Sequence, residues 1–400
     1  MIASRFVKTD HPPARRNYLM GLPNPPGFPG IVFTDYYRRM HFASISAEIE
    51  NASSSDVEHA LSKAGTGQIS DRNILALLSP AALPYLEEMA RMAQSITRQR
   101  HGNIIQMYAP LYLSNECRSS CTYCGFSYEN NIRRRTLSME EIEKEGSILY
   151  DQGIRHVLLL TGEDYKRTPV QFIADAARRL AKSFSSVSIE VYPLKEDDYS
   201  MMREAGVDGL AVYQETYDPE CYRRVHLRGM KKNLEFRLEC PDRAASAGIR
   251  KISIGALLGL SDSATEVFFC AQHARYLMKT YWQTQLSVSL PRLRPAEGLT
   301  DVPLVKNRSY VQYLCALRII LPDAGIILST REGESFRDQM AGICITQMSA
   351  GSRTEPGGYS GLEATVQFET EDRRSVHEFC SSLRANGLEP VFTDWSPVMK

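Results

Sequence analysis

The chain has 400 residues, 43% of them hydrophobic, enough for one large α/β domain with extensions or for two ordinary domains. Lys+Arg and Asp+Glu balance at 47 each, so no overall field favours nucleic acid or an anionic membrane surface, and the expected partner is a small molecule or another protein. No apolar run approaches the roughly eighteen residues of a membrane span and no signal-peptide core opens the chain, so a soluble cytoplasmic protein is expected.

In chain order, the first forty residues carry Pro12-Pro13 and four more prolines between Gly21 and Gly30, and read as a poorly ordered extension. Residues 41–103 form a helical N-terminal extension, with helices expected over 42–65 and 71–101. Tyr85, Met89, Met92 and Ile96 recur there at helical spacing, the pattern of an amphipathic helix covering a barrel end. From 104 onward, short apolar runs alternate with helical patterns. The expected strands are 104–110, 156–161, 187–193, 208–213, 251–257, 285–291, 325–329 and 343–348. Helices fall between them near 139–152, 169–183, 195–205, 234–247, 263–281, 308–321 and 334–340. Repeated βα units imply parallel strands with crossovers. Eight of them, with no G-x-G-x-x-G after the first, favour a (β/α)8 TIM-type barrel over 104–352 rather than an open Rossmann sheet. Residues 353–400 are then a C-terminal extension covering the barrel, as simple packing or as a lid.

Nine cysteines do not make a disulfide scaffold, and six of them (Cys221, Cys240, Cys270, Cys315, Cys344, Cys380) are scattered singly, as suits reduced thiols. The other three, Cys117, Cys121 and Cys124, are spaced C-x3-C-x2-C on the loop after the first strand. That is the catalytic face of such a barrel. Three thiolates within eight residues can wrap one face of a cubane cluster, ligating three irons and leaving the fourth open. A zinc site normally takes four ligands, and no second close Cys/His pair lies nearby, although a distant histidine would complete a mixed site.

With Tyr123 as the aromatic residue before Cys124, the segment resembles the radical S-adenosylmethionine (radical SAM) superfamily. The resemblance implies one [4Fe–4S] cluster on the three cysteines, with S-adenosylmethionine chelating the open iron through its amine and carboxylate. It further implies reductive cleavage to methionine and the 5′-deoxyadenosyl radical, chemistry that belongs to the cofactor. Gly162 and Glu163, ending the second strand, would meet the methionyl ammonium in a charge-assisted pairing, a plain strand-end turn being the alternative. Arg237 would take the cofactor's carboxylate or ribose unless it is a surface arginine. Gln214 and Glu215 would take ribose hydroxyls, and 254–259 would pass the adenine.

Over roughly 75–400 the chain resembles one subgroup, the aromatic amino acid lyases, and above all its tyrosine-cleaving members from thiamine biosynthesis. The resemblance rests on Tyr112-Leu113-Ser114-Asn115, Cys124-Gly125-Phe126-Ser127 and Val212-Tyr213-Gln214-Glu215-Thr216-Tyr217. It rests also on Pro291-Arg292-Leu293-Arg294-Pro295, Leu328-Ser329-Thr330-Arg331-Glu332, Pro356-Gly357-Gly358-Tyr359 and Asp394-Trp395. It implies that hydrogen is taken from the amino group of L-tyrosine and the Cα–Cβ bond breaks to dehydroglycine and p-cresol. Arg331, with its planar fork, and Ser349 would hold the tyrosine carboxylate. Tyr112 would touch the substrate amine or fill the barrel top, and Arg292 and Arg294 would reach a ligand or form structural salt bridges. Implied partners are a reductant such as flavodoxin or ferredoxin and the thiazole synthase that receives dehydroglycine. The nearest rival is the tyrosine lyase of hydrogenase maturation, which carries a second cluster in a longer C-terminal domain; here Cys380 alone lies beyond Cys344.

Overall fold

The structure, a computed structural model, describes residues 32–66 and 68–393. Residues 1–31 of the expected N-terminal extension, and Asp394-Trp395, lie outside the described residues.

Alternation along the strands sets the architecture. On Ile104–Ser114 (β1), Met107, Ala109, Leu111 and Leu113 are buried facing the helices, while Tyr108, Pro110 and Tyr112 line the barrel cavity. The further strands are Ser120–Cys121 (β2), His156–Thr161 (β3), Ser186–Glu190 (β4), Gly209–Glu215 (β5), His226–Arg228 (β6), Lys251–Ala256 (β7), Gln285–Ser289 (β8), Gly325–Leu328 (β9), Gln347–Ser349 (β10) and Glu389–Val391 (β11). Strands β1, β3, β4, β5, β7, β8, β9 and β10 pair in parallel in that order. β10 closes the ring on β1 through Gln106↔Gln347, Met107↔Met348 and Tyr108↔Ser349. This is the closed eight-stranded parallel barrel expected from the sequence. The short β11 adds beside the first residues of β1, at Ile104↔Glu389, and the two-residue β2 pairs antiparallel with β6 above the ring.

The helices shield the outward aliphatic faces. Phe33–Tyr37 (α1) is an ordered helix at the end of the stretch 1–40 read as a poorly ordered extension: Phe33 is fully buried and stacks on His273, 4.0 Å between ring centroids. Aromatic burial outweighs the proline-rich context on one side of it. The expected helix over 42–65 divides into Phe42–Glu50 (α2) and Ser54–Ser62 (α3), because Ser53 accepts a hydrogen bond from the Asp56 amide and begins a new helix. Asp71–Leu78 (α4) and Leu86–His101 (α5) follow. Met89 and Ile96 of α5 are buried, and the helix lies against Asn307–Ile320 among the outer helices, flanking the barrel rather than capping its end.

The barrel helices are Met139–Asp151 (α6), Val170–Leu180 (α7), Glu196–Glu204 (α8), Pro219–Val225 (α9), Leu234–Leu238 (α10), Cys240–Ser246 (α11), Ser263–Thr280 (α12), Asn307–Ile320 (α13) and Glu334–Ala341 (α14), with Val376–Ala385 (α15) in the C-terminal segment. That segment is anchored by a buried ion pair between Arg337 of α14 and Asp372, with Arg374 also on Asp372 at 2.7 Å. Among the described residues no helix is long and apolar enough to cross a membrane.

Candidate active site

A cavity opens at the C-terminal ends of the barrel strands. Cys117, Cys121 and Cys124 all line it, together with Glu163, Glu190, Glu215, Lys231, Arg237 and Arg331. The cysteine loop is held against the end of β3 by backbone contacts. Cys117 Sγ accepts the amide N–H groups of Ser119 and Glu163, each at 3.4 Å, and the Arg118 amide donates to the Glu163 carbonyl at 3.1 Å. Only glycine fits at 162, because a Cβ there would stand 2.3 Å from the Glu116 carbonyl oxygen and 3.0 Å from Cys117 Cβ. Cys121 lies in β2, and the Cys124 amide turns back onto the Cys121 carbonyl at 3.3 Å.

The donor set fits an iron–sulfur cluster. Burial pushes all three thiols up, Cys117 to about 11, so ionising them here calls for a cation, and a coordinated thiol is deprotonated outright. Sulfurs on one zinc ion stand only about 3.8 Å apart, given Zn–S bonds of about 2.3 Å. Among the described residues no three His, Cys, Asp or Glu side chains converge to hold a single ion in that way. A cubane spreads its ligands further apart.

Beside the sulfurs lies a band of paired charges. Glu163 accepts from Ser119 Oγ at 2.7 Å and from Arg237 Nη1 at 3.5 Å. Arg237 Nη2 reaches Glu215 at 3.5 Å, Lys231 Nζ reaches the same carboxylate at 2.8 Å, and Arg237 Nε donates to the Tyr213 carbonyl at 2.8 Å. Burial works to raise the Glu215 carboxyl, but Lys231 and Arg237 together hold it below the usual range. Among the described residues Glu215 is the one non-glycine residue at positive φ, 71°, where a bulge at the end of β5 re-aims its side chain into the cavity. The same bulge leaves Gln214 outside the cavity lining, its carboxamide nitrogen buried without a partner among the described residues. Tyr123 lines the cavity and donates to His226 Nε2 at 2.8 Å. His226 Nδ1 lies 2.9 Å from the Tyr222 carbonyl and must be its donor, which fixes the neutral tautomer.

Opposite this band is Arg331. Among the described residues no carboxylate comes within ion-pair distance of it, and its guanidinium carbon lies 3.4 Å above the Phe368 ring. Burial holds it below its usual range. Ser349 Oγ accepts the Thr330 amide at 3.2 Å, its hydroxyl also meets the Tyr108 phenol, and its carbonyl is gripped by Arg337. Tyr112 donates to Gln367 Oε1 at 2.7 Å. Glu190, ending β4, also lines the cavity; burial, then the charge of Glu215, pushes its carboxyl up to about 7 against the pull of Arg331.

The structure therefore gathers Tyr112, Cys117, Cys121, Tyr123, Cys124, Gly162, Glu163, Glu215, Arg237, Arg331 and Ser349 around one space. Arg292 and Arg294 stand outside it, both on Glu332, with Arg294 also on Glu371. They are structural salt bridges. Among the lining residues that the sequence does not single out, Lys231, Glu190 and Gln367 carry polar groups into the cavity. Of these, Lys231 carried the best signal, as a lysine pair following Arg228-Gly229.

A model of the radical SAM superfamily matches residues 111–269, and one of the Biotin and Thiamin Synthesis associated domain matches residues 289–389. Over 366 residues the chain is 42% identical to 2-iminoacetate synthase of Escherichia coli (strain K12), covering 91% of this chain and 96% of that one. The chain belongs to the radical SAM superfamily. As a radical SAM protein it uses a [4Fe–4S] cluster and S-adenosylmethionine. Among solved structures, the FeFe-hydrogenase maturase HydG from Carboxydothermus hydrogenoformans matches with a TM-score of 0.83 at 30% identity, covering 91% of this chain and 86% of that one. Methylornithine synthase (PylB), at a TM-score of 0.69 and 21% identity, covers 86% of this radical SAM chain and 99% of its own and shares the fold.

Proposed function

We infer that the chain is a 2-iminoacetate synthase, a carbon–carbon lyase that cleaves the Cα–Cβ bond of L-tyrosine to dehydroglycine and p-cresol for the thiazole of thiamine. The observation that carries this is the 42% identity to a curated 2-iminoacetate synthase across 91% of this chain and 96% of that one. When bound, the cluster and S-adenosylmethionine supply the 5′-deoxyadenosyl radical, with 5′-deoxyadenosine and methionine as by-products.

Cys117, Cys121 and Cys124 hold the cluster. Glu163, fixed by Ser119 and Arg237, offers a carboxylate to the methionyl ammonium, and Glu215 and Arg237 face the ribose and carboxylate. Arg331 takes the tyrosine carboxylate in a bidentate fork, and the hydroxyl of Ser349 adds to it. The pair Tyr112–Gln367 and the ring of Phe368 close the cavity from the C-terminal segment and exclude water from a reactive intermediate. The product imine hydrolyses readily, which supports direct transfer to a thiazole synthase. A flavodoxin or ferredoxin would supply the electron. Nine cysteines, all free, support a reducing, cytoplasmic location.

The test is anaerobic reconstitution followed by incubation with reductant, S-adenosylmethionine and tyrosine. Stoichiometric p-cresol and glyoxylate are expected. Accumulation of 5′-deoxyadenosine without p-cresol, with another amino acid cleaved instead, overturns the substrate assignment.

A further inference from the structure

A reducible cluster needs a place where electrons enter, and segment 222–232 is the outer wall of the cysteine loop. Four contacts fasten it there. The Thr122 amide donates to the Val225 carbonyl at 3.0 Å, Ser120 pairs with Arg228 in the β2–β6 ladder, and Tyr123 donates to His226 at 2.8 Å. Gly229, at φ 88°, packs so closely that a Cβ would stand 2.7 Å from Ser119 Cα. One layer of backbone therefore separates the cysteines from whatever touches the far side of this segment.

That far side is cationic and partly apolar. Arg223, Arg224, Arg228 and Lys232 are exposed, and among the described residues none has an ion-pair partner. Leu227 and Met230, exposed by 56% and 52%, stand among them, and Arg228 lies 3.8 Å above the ring of exposed Tyr128. Within 218–232 there are five cations against Asp218 and Glu220, and only Lys231 turns inward, to Glu215. In a chain of zero formal net charge this is a local concentration, and among the described residues its four outward cations form no ion pair. Clustered, unpaired surface cations steer an anionic partner toward one orientation, and exposed apolar residues among them supply contact once it has arrived.

We propose that Arg223, Arg224, Leu227, Arg228, Met230 and Lys232 form the docking surface for an acidic one-electron carrier protein. One electron leaves the reduced carrier and is taken up at the cluster beneath; no other group changes oxidation state in the transfer. The proposal rests on the radical-generating reading of the site but not on tyrosine as substrate.

The experiment compares the reconstituted wild-type protein with a variant carrying Arg224→Glu, Arg228→Glu and Lys232→Glu, using flavodoxin as the probe. Binding of oxidised flavodoxin is measured by calorimetry at low and high salt. Cluster reduction is followed by the visible absorbance with reduced flavodoxin or with dithionite. The variant is expected to bind flavodoxin at least tenfold more weakly, to lose the salt dependence of binding, and to be reduced more slowly by flavodoxin but at the wild-type rate by dithionite. Unchanged binding and reduction by flavodoxin overturn the proposal. If dithionite reduction or iron content also falls, the single variant Arg224→Glu, at an exposed position outside the β2–β6 ladder, is measured instead, and wild-type flavodoxin affinity there overturns it. Because binding and reduction are read without tyrosine, a wrong substrate leaves both results standing.

Discussion

Tyr112 of β1 donates its phenol to Gln367 Oε1 at 2.7 Å across 255 residues of sequence, and the amide nitrogen of the same glutamine lies 3.7 Å from Cys124 Sγ. One carboxamide thus ties the C-terminal segment to a barrel strand and to a cysteine of the proposed cluster. Gln367→Leu keeps the bulk but leaves the buried Tyr112 hydroxyl unpaired, at a cost of about 1–3 kcal/mol. If this loosens closure by only ~1 kcal/mol, the balance of closed and open states moves roughly fivefold. The ratio of 5′-deoxyadenosine to p-cresol, quantified chromatographically, is expected to rise by that order, and an unchanged ratio shows that the segment does not gate the site.

Gly162→Ala addresses the loop itself. The added methyl meets a carbonyl oxygen, which cannot rotate away as a side chain can, so the cysteine loop must shift or the strand end must bend. The expected overpacking cost is about 1–3 kcal/mol. Iron bound per chain after reconstitution should fall while the circular dichroism spectrum stays that of the wild type. Gly342→Ala, with nothing within 4 Å of the new methyl, serves as the control and should bind iron normally.

Legibility of the fold followed from physics that repeats along the chain. Outward aliphatic pairs such as Val157 and Leu159, Val187 and Ile189, or Ile252 and Ile254 mark each barrel strand without reference to any other. β11 has no such period, being three residues with Pro390 at their centre, and it exists because β1 offers it an unpaired edge. The site divides similarly. The three cysteines declare themselves by spacing within one loop. Glu190, Lys231 and Gln367 come from three distant segments whose side chains meet only when the barrel closes and the C-terminal segment lies over it. Gln214 and Glu215 are adjacent in sequence and equally polar, and the bulge that separates their directions is a property of the β5–β7 pairing.

Arg331 is a guanidinium in a cavity that already contains three carboxylates, Glu163, Glu190 and Glu215, yet it pairs with none of them. Arg331→Leu removes the expected carboxylate receptor and should abolish tyrosine cleavage, while iron content and S-adenosylmethionine binding remain. Arg331→Lys, which keeps the charge but loses the planar fork, is expected to raise the KM for tyrosine at least tenfold, corresponding to ~1.4 kcal/mol or more. Loss of iron in either variant contradicts a substrate role.

Glu190 faces Glu215 across the cavity, with Arg331, Lys231 and Arg237 around it, and its carboxyl sits at about 7 instead of the usual 4.5, first because of burial and then because of Glu215. Between those two pH values the folded chain holds a proton on Glu190 that the unfolded chain has released. The unfolded state therefore binds fewer protons there, and this group's contribution to stability declines as pH rises through that window. At 1.36 kcal/mol per pH unit the full effect is at most ~3 kcal/mol. Glu190→Gln carries no such proton, so its melting temperature relative to the wild type should increase from pH 5 to about pH 7 and level off above it, as measured by calorimetry on the as-purified proteins. A constant difference across that range means that the Glu190 carboxyl ionises normally inside the barrel.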